Sequence, residues 1–211
     1  DLSRTTDLSV GINISNMGDK LSYTKIFDER GADFIPINLR LGYCVGIRLD
    51  DYNRISIGVD MNKLLVPTPP IYDKRVTIDS AGVDISNPNY NQIIAGMDPN
   101  VAVVSGMIQS FYDAPDGLKE ELREINYSTG LEYWYNEQFA LRTGYFFEHN
   151  TKGGRKFYTL GAGMKYTVFE IDFSYLINAN RTEIAAGNNP LANTMRFTLV
   201  FDLGAIQEDG F

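Results

Sequence analysis

Acidic and basic side chains recur at alternate positions along the sequence, and these are the residues whose types could do chemistry. The carboxylates among them are Asp60, Glu124, Glu132, Glu170 and Asp172. Two carboxyl groups held close together could act as a general acid and a general base. The alternating positions also carry Arg40, Arg48, Arg54, Arg142, Lys165 and Arg196. Ion pairing explains the carboxylates more simply, so we expect that the chain is not an enzyme.

Histidine and cysteine are too scarce for the usual metal centres and catalytic triads. His149 is the only histidine and Cys44 the only cysteine in the 211 residues. The sequence has no Cys/His cluster with metal-ligand spacing, and no Gly-x-Gly-x-x-Gly segment opens a helix after a strand. We expect no metal and no organic cofactor. The net charge of −8 argues against nucleic acid as a partner, because phosphate binding requires a basic surface.

The elements that position these side chains are predicted by alternation of apolar and polar residues with a period of two. Eight segments show it, at residues 8–15, 37–50, 54–62, 124–135, 139–148, 158–168, 170–177 and 195–203. Several have 10 or more residues, whereas strands of soluble proteins average about 5–6 and a tilted strand crosses a bilayer with about 9–11. The sequence therefore predicts an all-β fold, specifically a transmembrane antiparallel β-barrel of an outer membrane.

The connections between the predicted strands alternate strictly between long and short. The long ones span residues 16–35, 66–120, 149–155 and 179–193, and the short ones lie at 51–53, at 136–137 and around Phe169. Outer-membrane barrels combine short periplasmic turns with longer outer loops. We therefore expect one β-barrel domain over residues 1–211, with residues 66–120 forming a long extracellular insertion.

The insertion is the candidate site for binding other proteins. It is too long for a plain loop, and Asp98 as N-cap with Pro99 at the first helical position predicts a helix within it. Two interpretations of the apolar stripe on this helix remain open: it covers the mouth of the barrel, or it docks a partner. The candidate partner-binding residues are Pro67, Pro69, Pro70, Val104, Met107, Ile108, Phe111 and Tyr112.

Five blocks of sequence resemble a known family. They are residues 11–18 (GINISNMG), 62–70 (NKLLVPTPP), 120–125 (EELREI), 130–135 (GLEYWY) and 141–146 (LRTGYF). Together they resemble PorV, the outer-membrane shuttle protein of the Bacteroidetes type IX secretion system. The proline block and the Glu-Tyr-Trp-Tyr block are long and irregular, which makes the resemblance specific.

The resemblance implies a FadL-like barrel, a fold with about fourteen strands, of which this chain would supply about eight C-terminal ones. It also implies a location in the outer membrane of a Gram-negative, Bacteroidetes-type cell. The implied partners are a SprA-like translocon barrel, the C-terminal signal domains of secreted cargo, a PorU-like sortase and attachment complex, and the lipid bilayer. The implied activity is to receive cargo at the translocon and to shuttle it to the attachment complex.

Two other functions are compatible with parts of the pattern. A FadL-like transporter of hydrophobic small molecules would share the barrel, but it requires a continuous apolar path through the lumen. A soluble structural β-sandwich would also alternate, with its apolar face in the core, but it does not explain the alternation of long and short connections.

Overall fold

The computed structural model describes residues 5–21, 32–75, 77–78, 84–85, 89, 91–179 and 194–201. In chain order the strands are β1 (Thr6–Ser15), β2 (Asn38–Arg48), β3 (Asn53–Leu64), β4 (Ile71–Tyr72), β5 (Thr77–Ile78), β6 (Asp84–Ile85), β7 (Ile93–Ala95), β8 (Ile125–Tyr135), β9 (Phe139–Phe147), β10 (Lys156–Tyr166), β11 (Phe169–Asn178) and β12 (Met195–Phe201). The helices are α1 (Val103–Gln109), α2 (Leu118–Arg123) and a one-turn 3-10 helix at Asn150–Lys152.

Eight of the strands form one sheet in the order β1-β2-β3-β8-β9-β10-β11-β12. They correspond one to one to the eight predicted strands, so that prediction is confirmed. From β8 to β12 the pairing is antiparallel and the register is continuous. Within the described residues β1 and β12 each pair with one neighbour only. The antiparallel all-β architecture is therefore confirmed, whereas closure into a FadL-like barrel stays a prediction.

Each strand of this sheet presents an apolar face and a polar face, as a period of two requires. On β9, Leu141 is 61% exposed whereas its neighbour Ala140 is 2% exposed. The apolar face carries exposed side chains such as Leu131, Leu160 and Ile171. In the described part of the chain, the larger apolar side chains of this sheet are therefore exposed and do not form a packed core.

The polar face is organised around Arg142 on β9. Its Nε donates to Glu132 at 2.6 Å, its Nη1 pairs with Asp172, and its guanidinium lies over the Trp134 ring at 5.3 Å. The ion pairing expected for the carboxylates of this face is thus present at Glu132 and Asp172, and Glu170 lies 4.0 Å from the same guanidinium. These groups lie close to the backbone because β10 offers no side chain at Gly163, where a Cβ atom would come within 2.7 Å of Arg142 Nη1.

Tight turns join the strands at one end of the sheet. Between β8 and β9 both Asn136 and Glu137 have positive φ, at 53° and 51°, which is the type I′ geometry favoured in hairpins. Between β10 and β11 the turn lies at Thr167 and Val168, because Tyr166 already pairs with Phe169. The turn predicted around Phe169 is therefore displaced by one to two residues.

The long connections fall where they were predicted. An isolated bridge between Leu21 and Asp33 lies within the first of them, and the second holds β4 to β7 with α1 and α2. Residues 22–31 and 180–193 lie outside the described residues. None of the helices in the described part of the chain is long and apolar enough to cross a membrane.

Two compact units are distinguished by their internal contacts. Unit 1 comprises residues 1–12, 40–61 and 126–211, and unit 2 comprises residues 13–39 and 62–125. Unit 1 holds most of the large sheet, and unit 2 holds the helices and the four short strands.

The loop that joins β9 to β10 in unit 1 is held by a buried carboxylate. Glu148 accepts two hydrogen bonds of 2.8 Å from the Arg155 guanidinium, and Gly153 takes φ 129° beside it. Burial acts to raise the pKa of Glu148, but the hydrogen bonds and the charge of Arg155 outweigh it and the pKa lies below its ordinary value.

Acid should weaken this loop through Glu148. A carboxyl group whose folded pKa is lowered stabilises the fold at pH values above its unfolded pKa, near 4.5, and this stability is lost as the pH falls through the folded pKa. Glu148→Gln should remove that part of the acid dependence. Thermal unfolding between pH 7 and pH 3 measures it, with exposed Asp51→Asn as the control. An acid dependence that is the same in Glu148→Gln and the wild type would contradict the assignment.

Glycine is required where strands β8 to β10 pack side chains over one another's backbone. A Cβ atom at Gly144 would lie 2.8 Å from Thr159 Oγ1 and 3.1 Å from the carbonyl oxygen of Thr129. Gly144→Ala should therefore lower the free energy of unfolding by about 1–3 kcal/mol. At Gly11 nothing lies within 4 Å of the added atom, so Gly11→Ala is the matched control and should change stability little. Equal losses in equilibrium unfolding of the two variants would refute the packing argument.

Candidate protein-docking site

Helix α1 of unit 2 presents apolar side chains to solvent. Val104, Ile108 and Phe111 are 67%, 59% and 49% exposed. Their spacing of i, i+4 and i+7 places them along one side of a helix and of its continuation, which is the spacing of anchor residues in helix-in-groove recognition. Tyr112 follows and is also exposed. We call Val104, Ile108, Phe111 and Tyr112 the α1 surface.

The helix begins later than predicted. Asp98 was expected to cap it, but helix α1 begins at Val103, and Ala102 occupies the N-cap position without a side-chain hydrogen bond. Asp98 Oδ1 instead accepts the backbone N–H of Asn100 at 2.8 Å. An aspartate that bonds the backbone two residues later forms a local turn, which competes with helix initiation. The prediction of Asp98 as N-cap and Pro99 as first helical residue is therefore wrong.

Helix α2 was not predicted from the sequence, although its charged residues indicate it. Its first turn carries Glu120 and Glu121 and its last turn carries Arg123, the arrangement that complements a helix dipole. Gly117 precedes it with φ 66°. The helix adds two further exposed apolar residues at i and i+4, Leu118 and Leu122.

The eight predicted partner-binding residues fall into two groups. Pro69 and the four residues of the α1 surface are exposed, and Met107 is half-buried. Pro67 and Pro70 are buried, so they are not part of the exposed α1 surface. A Cβ atom at Gly106 of α1 would lie 3.1 Å from Pro67 and within 2.6 Å of the Phe34 ring, so the absence of a side chain there seats α1 closely on both.

A buried polar network lies next to these prolines. Lys63, at the end of β3, donates to Glu121 Oε2 at 3.0 Å and to Glu124 Oε2 at 2.8 Å. Glu121 Oε1 accepts the backbone N–H of Ala114 at 2.9 Å, and Glu124 Oε1 accepts the Thr68 hydroxyl at 2.8 Å. We call Lys63, Thr68, Asp113, Glu121 and Glu124 the Lys63 network. Glu124 was expected to be balanced by an arginine of the sheet or by Lys165, and Lys63 takes that place.

Asp113 completes the network. Its Oδ2 accepts the backbone N–H of Thr68 at 3.1 Å. This bond ties the connection between α1 and α2 to residues 67–70, which we call the proline segment. Burial raises the pKa of Asp113, and the nearby charge of Glu121 adds to the rise, while hydrogen bonding from Thr68 and Gln109 offsets part of it. The network fixes the base of the α1 surface, because it connects the end of α1, the proline segment and α2.

A cavity lies on the polar face of unit 1. It is an open cavity of about 620 Å³, lined by small residues that include Gly58, Gly130 and Gly144, and by Glu132, Arg142 and Asp172. The guanidinium of Arg142 is engaged by the carboxylates of Glu132 and Asp172. Among the residues that the structure describes, no three His, Cys, Asp or Glu side chains are grouped so that they could hold a metal ion.

Removal of the Lys63 ammonium should destabilise unit 2 strongly. Lys63→Met would leave Glu121 and Glu124 buried without their cation, a change that costs about 3–5 kcal/mol in comparable buried pairs. Limited proteolysis of the segment 66–120 and equilibrium unfolding both report it. Lys119→Met on the exposed side of α2 is the control and should behave like the wild type. A Lys63→Met chain as resistant as this control would show that the network does not stabilise the segment.

Comparison with known proteins agrees with the resemblance that the sequence blocks indicated. Residues 5–71 match the family model of the type IX secretion system protein PorV. The matched segment contains two of the five blocks, residues 11–18 and 62–70, and runs from β1 to the start of β4. Functionally characterised proteins give no significant match. This chain therefore resembles PorV, and the match indicates involvement in the type IX secretion system.

Proposed function

We propose that this chain is a non-enzymatic binding and transfer component of type IX secretion, which docks other proteins through the α1 surface. The observation that carries the proposal is the exposure of Val104, Ile108 and Phe111 in a chain whose residues 5–71 match PorV. Its partners are a SprA-like translocon barrel and the C-terminal signal domain of cargo, which it passes to a PorU-like attachment complex.

The exposed apolar face of the sheet supports a location in the outer membrane. The strands from β1 to β11 in the large sheet have 9 to 12 residues, long enough for a tilted strand to cross the hydrocarbon core. Leu8, Leu141 and Phe197 are exposed on them and on β12, which is favourable in lipid and unfavourable in water. We propose that the sheet forms part of a closed, FadL-like barrel.

The α1 surface has the composition of a protein interface. Large apolar patches on a loop segment usually mark an interaction site, and aromatic side chains such as Phe111 and Tyr112 often supply most of the binding energy. The Lys63 network holds this segment in place before binding, which lowers the entropy lost on association. Of the two interpretations left open by the sequence, the exposure of these side chains favours docking.

The charged polar face gives little support to the rival functions. A transporter of hydrophobic small molecules needs an apolar path, but Arg142 lies on this face with Glu132 and Asp172 around it. A soluble β-sandwich would bury the alternate apolar residues in its core, and here Leu141 and Leu160 are exposed.

The decisive experiment measures capture by the α1 surface. Ile108→Ala combined with Phe111→Ala should leave the barrel folded and resistant to heat, because both side chains are exposed. The affinity for the purified translocon or for a cargo signal domain should fall at least about tenfold, as for two interface anchors. Ser105→Ala, on an exposed position of the same helix, is the control and should bind like the wild type. Unchanged capture by the double variant, with both partners, would overturn the proposal.

A further inference from the structure

Asp113 is buried in a setting that disfavours its charge. The residue is 1% exposed, and it lies between α1 and α2. Its Oδ2 accepts one backbone N–H, from Thr68. Its Oδ1 is buried with no hydrogen-bond partner among the described residues. The donors from Thr68 and Gln109 offset only part of the hydration that this carboxylate loses on burial.

The charges that face Asp113 from the neighbouring elements add to this. Glu121 lies near Asp113, and its negative charge acts on the Asp113 carboxyl group. Lys63 directs its hydrogen bonds to Glu121 and Glu124, and no ion pair to Asp113 is found within the described ranges. The remaining groups next to Asp113, Thr68 from the proline segment and Gln109 from α1, are neutral. An ionised Asp113 would therefore face the charge of Glu121 with no cation paired to it among the described residues.

A proton on Asp113 removes this buried charge. The neutral carboxyl group has no repulsion with Glu121, and its Oδ2 still accepts the Thr68 N–H. Glu121 and Glu124 keep their bonds to Lys63, to the Ala114 N–H and to the Thr68 hydroxyl. Asp113 is therefore the member of the network whose protonation costs no observed hydrogen bond.

We propose that Asp113 is a proton-dependent lock on the segment that carries the α1 surface. With the proton bound, the contact between Asp113 and Thr68 holds the end of α1 to the proline segment. When the proton leaves, the buried charge is poorly solvated, which destabilises the closed segment, and the segment opens more often. The consequence for partner capture rests on the proposed docking function, whereas the lock itself is a property of unit 2.

The direction of the pH effect follows from linkage. Burial, with the charge of Glu121, raises the pKa of Asp113 in the folded chain above its ordinary value of 3.8. The folded state then binds the proton more tightly than the unfolded segment does. The stability contributed by the lock is complete below about 3.8 and is lost as the pH rises through the folded pKa. Higher pH should therefore loosen the α1 surface.

Amide hydrogen exchange on the full chain in detergent micelles tests the lock without any partner. Protection of Thr68 and of α1, corrected for the intrinsic effect of pH, should be lost progressively as the pH rises from about 4 to about 9. Asp113→Asn, which is neutral at every pH, should keep the higher protection throughout. Asp116→Asn, an exposed aspartate of the same connection, is the control and should follow the wild type.

A second variant keeps the test decisive if Asp113→Asn does not fold. Glu121→Gln keeps one of the two acceptor oxygens that bond Lys63 and the Ala114 N–H and removes the charge next to Asp113, so the fall in protection should begin at lower pH than in the wild type. Corrected protection that is independent of pH in the wild type overturns the lock. A pH dependence of protection that is the same in the wild type and in all variants also overturns the lock. Failure of the docking proposal is distinguishable, because the Ile108 and Phe111 double variant loses no capture in that case while the exchange result stands.

Discussion

One ammonium group, that of Lys63, holds together the segment on which the α1 surface is built. Its two carboxylate partners, Glu121 and Glu124, lie 58 and 61 residues further along the chain. Each partner also accepts a second hydrogen bond, from Ala114 or from Thr68. The pair therefore closes a long insertion on itself and orders three of its parts together. Fully satisfied buried networks rigidify a fold, and partly satisfied ones weaken it.

On the polar face of unit 1, an arginine rather than a lysine pairs with neighbouring carboxylates. Arg142 pairs with both Glu132 and Asp172 while its plane lies over Trp134. A guanidinium has a flat fork of donors that suits this position between two strands, whereas an ammonium such as Lys63 is a compact charge that suits a closed pocket. Glycine at position 163 leaves the space in which the arginine lies. Both units thus contain a cation that is shared between carboxylates, and Arg142 has Glu170 as a third one at 4.0 Å.

The sequence allowed the strands to be predicted far better than the site. A period of two recurs whenever one face of a strand is apolar, so all eight strands could be placed, and the turn near Phe169 was displaced only slightly. The start of α1 was wrong because Asp98 can bond either a helix or a local turn, and the choice depends on tertiary contacts such as that of Gln109 with the Asp98 carbonyl at 2.9 Å. The Lys63 network could not be predicted, because partners some 60 residues apart leave no local spacing to detect.

Phe111 links the buried network to the exposed surface. Its ring is 49% exposed, yet the Lys63 ammonium lies 5.7 Å from the ring centroid. A partner that covers Phe111 would remove water from the neighbourhood of Lys63, and electrostatic interactions strengthen as the local dielectric falls. The ion pairs from Lys63 to Glu121 and Glu124 would then become stronger. The ionised form of Asp113 would become still less favourable relative to the protonated form. Docking and protonation should therefore favour each other, because linkage between two binding events is reciprocal.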